Sequence, residues 1–249
     1  MGETRIEDDL FGQALWEHWQ GRGRGALTVR RKDGHADTAS PAVWIGSGVW
    51  PVEAMLIERA RGRVLDIGCG AGRHLVPLMA RGLPVTGLDR SAGALRVARA
   101  RGGRDLIEGS VFETPIPAGR YDTVLLLGNN LGLAGGVEAT LHLLALAARA
   151  MTRTGRLLLV STDVSRAERP IHVIHRACNR AAGRPQGHQT LRIEYAGRVS
   201  DWFPWLHLAP SELSPIAARA GLRIARLDRT ARGPYAAVLS RADGPHGRG

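Results

Sequence analysis

The chain has 249 residues, of which 44% are hydrophobic and 23% charged, a composition ordinary for a soluble globular protein. No apolar run approaches the ~20 residues that a membrane span needs, and the two cysteines are too few for a disulfide framework, so we expect a cytoplasmic protein with no membrane partner. The net charge of +11 admits a nucleic-acid partner, but the densest arginine cluster holds no aromatic residues, which favours dispersed surface arginine.

The predicted elements begin with an amphipathic helix over residues 4–20, after which a glycine-rich, irregular segment runs to residue 50. From residue 63, short aliphatic runs alternate with alanine-rich helical stretches, the pattern of a parallel sheet with helices on both faces. The predicted strands are 63–67, 84–89, 105–108, 121–127, 155–161, 222–227 and 235–240. The predicted helices among them are 72–81, 91–101, 137–152 and 210–220.

Residues 162–209 interrupt this alternation with an irregular segment rich in histidine and tryptophan. Because it follows the fifth strand, it lies where open α/β sheets bind their substrates. We therefore predict three regions. They are an N-terminal helix and lid segment at 1–50, an α/β domain at 51–241 with a substrate-side insertion at 162–209, and a disordered tail at 242–249.

A glycine-rich turn, Gly68-Cys69-Gly70-Ala71-Gly72, follows the first predicted sheet strand and opens a helix, an arrangement that brings backbone N–H groups close to a ligand. Arg73 stands where a dinucleotide-binding turn has glycine or alanine. Asp66, just before the turn, suits an ammonium group better than a pyrophosphate, and Asp89 ends the next strand, where an acid accepts ribose hydroxyls. The alternatives are a turn-stabilising Asp66, a helix-capping Asp89 and a merely buried Cys69.

Together these residues resemble the class I S-adenosylmethionine (SAM)-dependent methyltransferases over residues 62–162 and the two closing strands. The resemblance implies an α/β, Rossmann-like, seven-stranded, mostly parallel sheet with an antiparallel last strand, and SAM as cofactor with S-adenosylhomocysteine as product. It implies that Asp66 and the glycine turn hold the methionine part and Asp89 the ribose. The cofactor-binding residues so predicted are Asp66, Gly68, Cys69, Gly70, Gly72, Asp89, Arg90, Ser110, Val111, Gly128 and Asn129.

Four further segments resemble a bacterial group of small stand-alone class I methyltransferases. They are Gly128-Asn129-Asn130-Leu131-Gly132-Leu133, the Asn-x-x-x-Gly-Arg segment from Asn179 to Arg184, Arg192-Ile193-Glu194-Tyr195 and Trp202-Phe203. This likeness supports the fold and the cofactor and says little about the methyl acceptor.

The candidate catalytic residues follow the fourth and fifth sheet strands. Methyl transfer is an in-line displacement, so the acceptor must be held close to the methyl carbon, with a base where its nucleophile is protonated. Asn129 and Asn130 could bind the acceptor, or simply form a turn. His172 and His175, one helical turn apart, could supply a base, although solvated or core histidines remain the alternative and we predict no metal.

The candidate substrate-binding residues are Arg192, Tyr195, Trp202, Asn179 and Trp44. Arg192 could grip a substrate carboxylate with two hydrogen bonds, or pair internally with Glu194 on the same strand face. The aromatic side chains could wall a pocket or fill the core between the insertion and the sheet. Trp44 belongs to an N-terminal segment that could close over the cofactor, or could simply pack on the domain.

We expect SAM-dependent O- or N-methylation of a small-molecule biosynthetic metabolite. The alternatives are an RNA or protein methyltransferase that uses the basic C-terminal region, and a non-catalytic SAM-binding partner or regulator. The chain has no Asn/Asp-Pro-Pro-Tyr tetrapeptide after its fourth sheet strand, which counts against nucleobase or glutamine N-methylation. The sequence leaves the oligomeric state open.

Overall fold

The computed structural model describes residues 9–46 and 49–243. Within them, the helices are α1 Leu10–Trp19, α2 Ala42–Ile45, α3 Pro51–Arg59, α4 Leu75–Ala80, α5 Ala92–Ala100, α6 Val137–Ala150, α7 Pro170–Ala181 and α8 Pro210–Arg219. The strands are β1 Leu27–Arg31, β2 Ala36–Ala39, β3 Val64–Ile67, β4 Val85–Asp89, β5 Asp105–Glu108, β6 Tyr121–Leu126, β7 Met151–Thr162, β8 Gly187–Tyr195, β9 Arg198–Val199, β10 Phe203–His207, β11 Leu222–Arg229 and β12 Pro234–Arg241. Two short 3₁₀ helices follow β6 and β7, at Asn130–Ala134 and Val164–Arg166.

The main sheet has seven strands in the order β11-β12-β7-β6-β3-β4-β5. The pairs from β7 to β5 are parallel, and β12 runs antiparallel to both β7 and β11. This confirms the predicted seven-stranded sheet with its reversed closing hairpin. Strand order changes direction at β3, between β4 and β6, and in open α/β sheets such a switch point forms a binding crevice at the carboxyl edge.

A core layer lies on each face of the main sheet. On one face α6 and α8 bury Leu143 and Leu213, and on the other α3 and α4 bury Leu56 and Leu78. All four residues of β3 are buried, as expected for a central parallel strand covered on both sides. One of them is Asp66, so a carboxylate stands at the end of an otherwise apolar strand, directly below the switch point.

The two segments predicted to form a lid, 1–50 and 162–209, contribute the strands of a second sheet, called the lid below, which was not predicted. Strands β10, β8, β1 and β2 pair antiparallel in that order, and β9 pairs with β8. Residues 21–50 and 162–209 were predicted to be irregular apart from an apparent strand around residues 192–195, which is part of β8. The physical reason is that β1 has too few apolar residues to be predicted as a strand from its own sequence. Its partner β8 lies about 160 positions further along the chain, so no local sequence pattern predicts the pairing.

The lid is anchored on both sides of the switch point. On one side Asp9 caps α1, accepting from the Gly12 amide at 2.9 Å, and also accepts from the Ser91 hydroxyl at 2.6 Å, just after β4. On the other side β10 lies against the 3₁₀ helix after β6, where Trp205 packs so closely on Gly132 that a Cβ there would collide with it. The lid thus spans the carboxyl edge from β4 to β6.

Substituting alanine for Gly93 tests the α1 anchor. A Cβ at Gly93 would collide with the Gly12 backbone, whereas Gly→Ala inside a helix normally stabilises a protein. We expect Gly93→Ala to lower the free energy of unfolding by about 1–3 kcal/mol in urea titrations, because α1 must move away from α5. Arg99→Ala, on the exposed face of α5, is the matched control, and a stabilised Gly93→Ala variant would contradict this packing.

Among the strands of the main sheet, the start of β7 differs most from the predicted boundary. Strand β7 begins at Met151, four residues before the predicted start, because α6 ends at Ala150 and Met151 already has extended backbone. Residues 4–8 of the predicted first helix lie outside the described residues. So do residues 244–249 of the predicted tail, while Ala242 forms part of a turn and donates to the Gly221 carbonyl at 2.9 Å. No helix in the described ranges is long and apolar enough to span a bilayer.

Candidate functional site

The glycine turn lies at the carboxyl end of β3. Gly68, Gly70 and Gly72 have φ values of +74°, +53° and +78°, a region that side-chain-bearing residues rarely adopt. A Cβ on Gly68 would press on the side chain of Asn130, whereas nothing lies within 4 Å of the Cβ position at Gly70. The backbone at Gly70 therefore faces open space, as a turn must where a ligand approaches it.

Asn130 holds this turn in place. Its side-chain amide nitrogen donates to the carbonyls of Ile67, at 2.9 Å, and Gly68, at 2.7 Å. Both hydrogens of that nitrogen are thereby used, so the structure gives Asn130 a role in shaping the turn. Its predicted catalytic role would have to rest on the amide oxygen alone.

Asp66 is the most unusual group at the site. Its side chain is fully buried, and neither carboxylate oxygen has a hydrogen-bond partner among the described residues. Burial raises the pKa of Asp66 to about 6, and the nearby Asp89 and Glu53 act in the same direction. A buried carboxylate without partners is costly unless a cation compensates it, so these two oxygens are suited to receive an ammonium group.

Asp89 stands at the end of β4, across the turn from Asp66. Its oxygens accept hydrogen bonds from the Gly70 amide, at 2.7 Å, and the Ser91 amide, at 2.8 Å. Burial raises the pKa of Asp89, against the opposing effect of those two amides. Each oxygen keeps a further lone pair, so the carboxylate can still accept from a diol.

The other predicted cofactor residues surround this edge. Arg90 is exposed beside Asp89, and Val111 is buried in the core after β5. Ser110 accepts from the Phe112 amide at 3.3 Å. Cys69 is buried, which raises the pKa of its thiol, and a Cβ on Gly87 would lie 2.8 Å from its sulfur. Gly87 therefore leaves room for the Cys69 sulfur, and the burial of Cys69 matches the alternative interpretation of that residue.

Sequence analysis missed Glu53, a fully buried acid on α3. Its carboxylate accepts two hydrogen bonds from Arg73, at 2.8 and 3.0 Å, and another from the Gly128 amide at 2.8 Å. Burial acts to raise the pKa of Glu53, but His74 and Arg73 outweigh it and hold that pKa below its usual value. Glu53 therefore ties together α3, the glycine turn and the loop after β6. The available signal was Arg73, a charge in a turn that normally carries a small residue.

Two adjacent left-handed residues, Gly128 and Asn129, follow β6 with φ values of +67° and +62°. The Asn129 amide oxygen accepts from the Thr162 hydroxyl at 3.0 Å, which links the ends of β6 and β7. Because its oxygen is held in this way, the Asn129 amide nitrogen has a fixed direction, and its two hydrogens are available as donors at the carboxyl edge. Asparagine adopts the left-handed conformation more readily than other residues with side chains, so this turn tolerates it.

The predicted histidines lie on α7 and contact the lid. His175 Nδ1 is 3.2 Å from Asp33 Oδ2, and its Nε2 is 2.8 Å from the His188 carbonyl. His172 Nδ1 is 3.3 Å from an Arg31 nitrogen, and burial lowers the pKa of His172. These contacts join α7 to the hairpin of β1 and β2, and the catalytic role of both histidines stays a prediction. No metal-binding group of three or more His, Cys, Asp or Glu side chains occurs in the described part of the chain.

The predicted substrate residues are also held by lid contacts. Arg192 pairs with Glu194 at 2.6 Å and lies over the ring of Trp202, with 4.8 Å from guanidinium carbon to ring centroid. Tyr195 is buried and donates to Glu17 at 2.9 Å. These contacts match the internal-pair and packing alternatives, so substrate binding by these residues stays a prediction.

Asn179 and Trp44 complete that set. The Asn179 amide nitrogen donates to the carbonyls of His188, at 2.7 Å, and Gln186, at 3.1 Å. Trp44 packs edge-to-face on Phe11 of α1, with ring centroids 5.8 Å apart. Both side chains stabilise the lid in this structure.

Comparison with known proteins agrees with this geometry. Residues 64–155 match the family model described as a methyltransferase domain. A protein of Encephalitozoon cuniculi that carries the name methyltransferase is 46% identical over 63 residues. That matched segment is 25% of this chain and spans only about a quarter, 27%, of the relative's length.

Solved structures cover more of the chain. A SAM-dependent methyltransferase from Bacteroides fragilis, in complex with S-adenosyl-L-homocysteine, is 23% identical, covers 96% of this chain and 98% of its own, and has a TM-score of 0.83. CcbJ methyltransferase from Streptomyces caelestis is 19% identical, with 79% and 98% coverage and a TM-score of 0.59. CalS10 from Micromonospora echinaspora, an amino pentose methyltransferase of calicheamicin biosynthesis, is 22% identical, with 79% and 94% coverage and a TM-score of 0.52.

The chain therefore has the fold of the class I SAM-dependent methyltransferases, as predicted. Within it, residues 64–155 are the part that matches the methyltransferase family model. Asp66 lies on β3, Asp89 on β4, and the three turn glycines Gly68, Gly70 and Gly72 lie between β3 and α4, all at the switch point.

Proposed function

We propose that this protein transfers a methyl group from SAM to a small-molecule acceptor by O- or N-methylation. The observation that carries the proposal is Asp66, a buried carboxylate on the strand that leads into the glycine turn, whose two oxygens have no hydrogen-bond partner among the described residues. When bound, SAM supplies an electrophilic methyl carbon on a sulfonium sulfur. Asp66 would bind its ammonium group and Asp89 its ribose hydroxyls, and these donor and acceptor types fit that cofactor.

The lid supports a small acceptor. It meets the domain on both sides of the switch point, at Ser91 and at Gly132, so it roofs the edge that would hold the reacting groups. A segment in this position would limit the access of water to the reacting groups and would suit a small acceptor. CalS10, named as an amino pentose methyltransferase, shares the fold, which favours a metabolite as acceptor over a macromolecule.

The arginine excess gives little support to an RNA acceptor. Several arginines are already paired with carboxylates, among them Arg24 with Glu17 and Arg30 with Glu194. Arginines engaged in this way have part of their charge neutralised within the protein and are less available to phosphates. We therefore propose a metabolite as acceptor and retain RNA and protein as outcomes of the test.

A labelling experiment tests the proposed function. The protein is incubated with SAM carrying a radioactive methyl group and with a bacterial extract separated into small metabolites, RNA and protein, and the label in each fraction is counted. We expect label in the metabolite fraction, and no label when Asp66→Asn protein is used. Label in RNA or protein would contradict the small-molecule acceptor. Cofactor binding without transfer to any fraction would indicate a non-catalytic binding protein.

The Asn129→Gly substitution tests the acceptor side. Glycine adopts the left-handed conformation freely, so the variant keeps the loop and removes only the amide. If Asn129 orients the acceptor, methyl transfer to the labelled fraction falls about tenfold or more, with unchanged affinity for S-adenosylhomocysteine.

Asn130→Ala is the matched comparison for Asn129→Gly. It releases the carbonyls of Ile67 and Gly68, so it is expected to weaken cofactor binding first. Equal losses of cofactor affinity in the two variants would show that Asn129 belongs to the turn and not to the acceptor site.

A further inference from the structure

The strongest unassigned feature is the set of charged groups around Asp66. His74, which begins α4, is buried, and its Nδ1 lies 3.8 Å from Asp66 Oδ2. Its Nε2 lies 3.4 Å from Glu53 Oε2, without the geometry of a hydrogen bond. A histidine ring thus stands between two buried carboxylates, one of which has no partner.

Arg73 does not neutralise Asp66, because its guanidinium is held by Glu53 through two hydrogen bonds. The other charged group facing Asp66 is Asp89, at the end of β4, which repels a second negative charge. Glu53 on α3 also raises the pKa of Asp66, whereas His74 and Arg73 lower it. Among these groups, His74 is the one whose ring nitrogen lies next to an Asp66 oxygen, so a proton shared with Asp66 would lie between the two side chains.

We propose that the Asp66–His74 pair binds a proton in the free protein and releases it when the ammonium group of the cofactor arrives. The inference rests on the proposed function and adds a pH linkage to it. On release, the bond between the proton and the pair breaks, its electron pair stays on the pair, and the proton goes to the buffer. The incoming ammonium then supplies the positive charge that the proton had supplied.

Charge repulsion in the buried site makes the proton and the ammonium group compete. Two positive charges beside Asp66 repel each other strongly away from water, so binding of one disfavours binding of the other. Cofactor affinity should therefore rise with pH through the titration of the pair, and flatten above it. His74 acts here as a positioning residue, since it sets the proton affinity of the group that contacts the cofactor.

Calorimetry measures the proton directly. S-adenosylhomocysteine is titrated into the full chain at several pH values between 5.5 and 8, each in two buffers of different ionisation enthalpy. We expect release of about half a proton per ligand near pH 6 and almost none at pH 8. 5′-Methylthioadenosine, which has the nucleoside and thioether but no amino-acid end, should bind with no release.

Three variants assign the proton. Asp66→Asn should abolish the release. His74→Gln should move it to higher pH, because removing the imidazole leaves the carboxylate with less positive charge nearby. His35→Gln, on the lid between β1 and β2, removes a histidine away from the site and should leave the release unchanged.

The outcomes separate this inference from the function on which it rests. Binding of S-adenosylhomocysteine with a heat that does not depend on the buffer would overturn the proton linkage and leave the proposed function intact. Equal release with 5′-methylthioadenosine would overturn it as well, since the ammonium would not be the cause. No binding of either ligand to folded protein would overturn the proposed function itself.

Discussion

The Asp66→Asn variant is expected to be more stable than the natural protein and nearly unable to bind cofactor. Burial raises the pKa of Asp66 to about 6 in the folded protein, above the value near 3.9 of an unfolded chain. The folded state therefore holds this proton more tightly, so stability falls as pH rises from about 4 to 6 and stays reduced above that. Asparagine removes the charge, and we expect a gain of about 1–3 kcal/mol at pH 8 in urea unfolding.

Cofactor binding should move in the opposite direction. Losing a charged hydrogen-bond acceptor should weaken S-adenosylhomocysteine binding by roughly 10–100-fold in calorimetric titration. Below pH 4 the stability gain should vanish, because the carboxyl is then protonated in both states. Asp201→Asn, in the exposed loop before β10, is the control and should change neither quantity. A destabilised Asp66→Asn variant at pH 8 would show that the carboxylate has a partner in solution.

The Glu53→Ala variant is expected to produce the largest loss of stability. It would leave the buried Arg73 guanidinium without its two carboxylate bonds, and the Gly128 amide without its acceptor. Removing one partner of a buried ion pair costs about 3–5 kcal/mol, because a bare charge remains in the interior. Urea unfolding monitored by tryptophan fluorescence measures the loss directly.

A double variant tests whether the loss of stability in Glu53→Ala comes from the unpaired charge that remains on Arg73. Replacing Glu53 with Gln and Arg73 with Met together removes both charges, and we expect it to be less destabilising than Glu53→Ala alone. Glu138→Ala breaks an exposed pair with Arg219 and should have a much smaller effect. If Glu53→Ala unfolds no more easily than Glu138→Ala, Glu53 does not tie α3 to the glycine turn as the contacts indicate.

The main sheet could be predicted because its signal is local. The central strands, such as β3 and β6, are short, mostly aliphatic runs that are buried on both faces of the sheet. The turn glycines could be located for a similar reason, since Gly68 and Gly72 occupy conformations that only glycine adopts easily. The positions of Asp66 and Asp89 follow directly from the strand ends.

The lid segments could be located, but their sheet could not be predicted, because each strand forms only against a partner far away in the sequence. Strand β1 pairs with β8, so its partly polar residues form a strand only when the insertion folds against them. The same separation hid the hydrogen bond that Arg30 of β1 donates to Glu194, which also accepts from Arg192. The role of Glu53 was hidden in the same way, because its partners lie 20 and 75 positions further along the chain.

The most direct test of the central claim is a crystal structure of the protein with S-adenosylhomocysteine. We predict the ligand's ammonium group within hydrogen-bond distance of Asp66, its ribose hydroxyls on Asp89 and its sulfur facing Asn129, with the lid in place above. Those contacts would show that the Asp66 carboxylate, which has no partner among the described residues of the free protein, binds the ammonium group of the cofactor. A bound ligand whose amino-acid end lies elsewhere, with both Asp66 oxygens still unpartnered, would contradict the account.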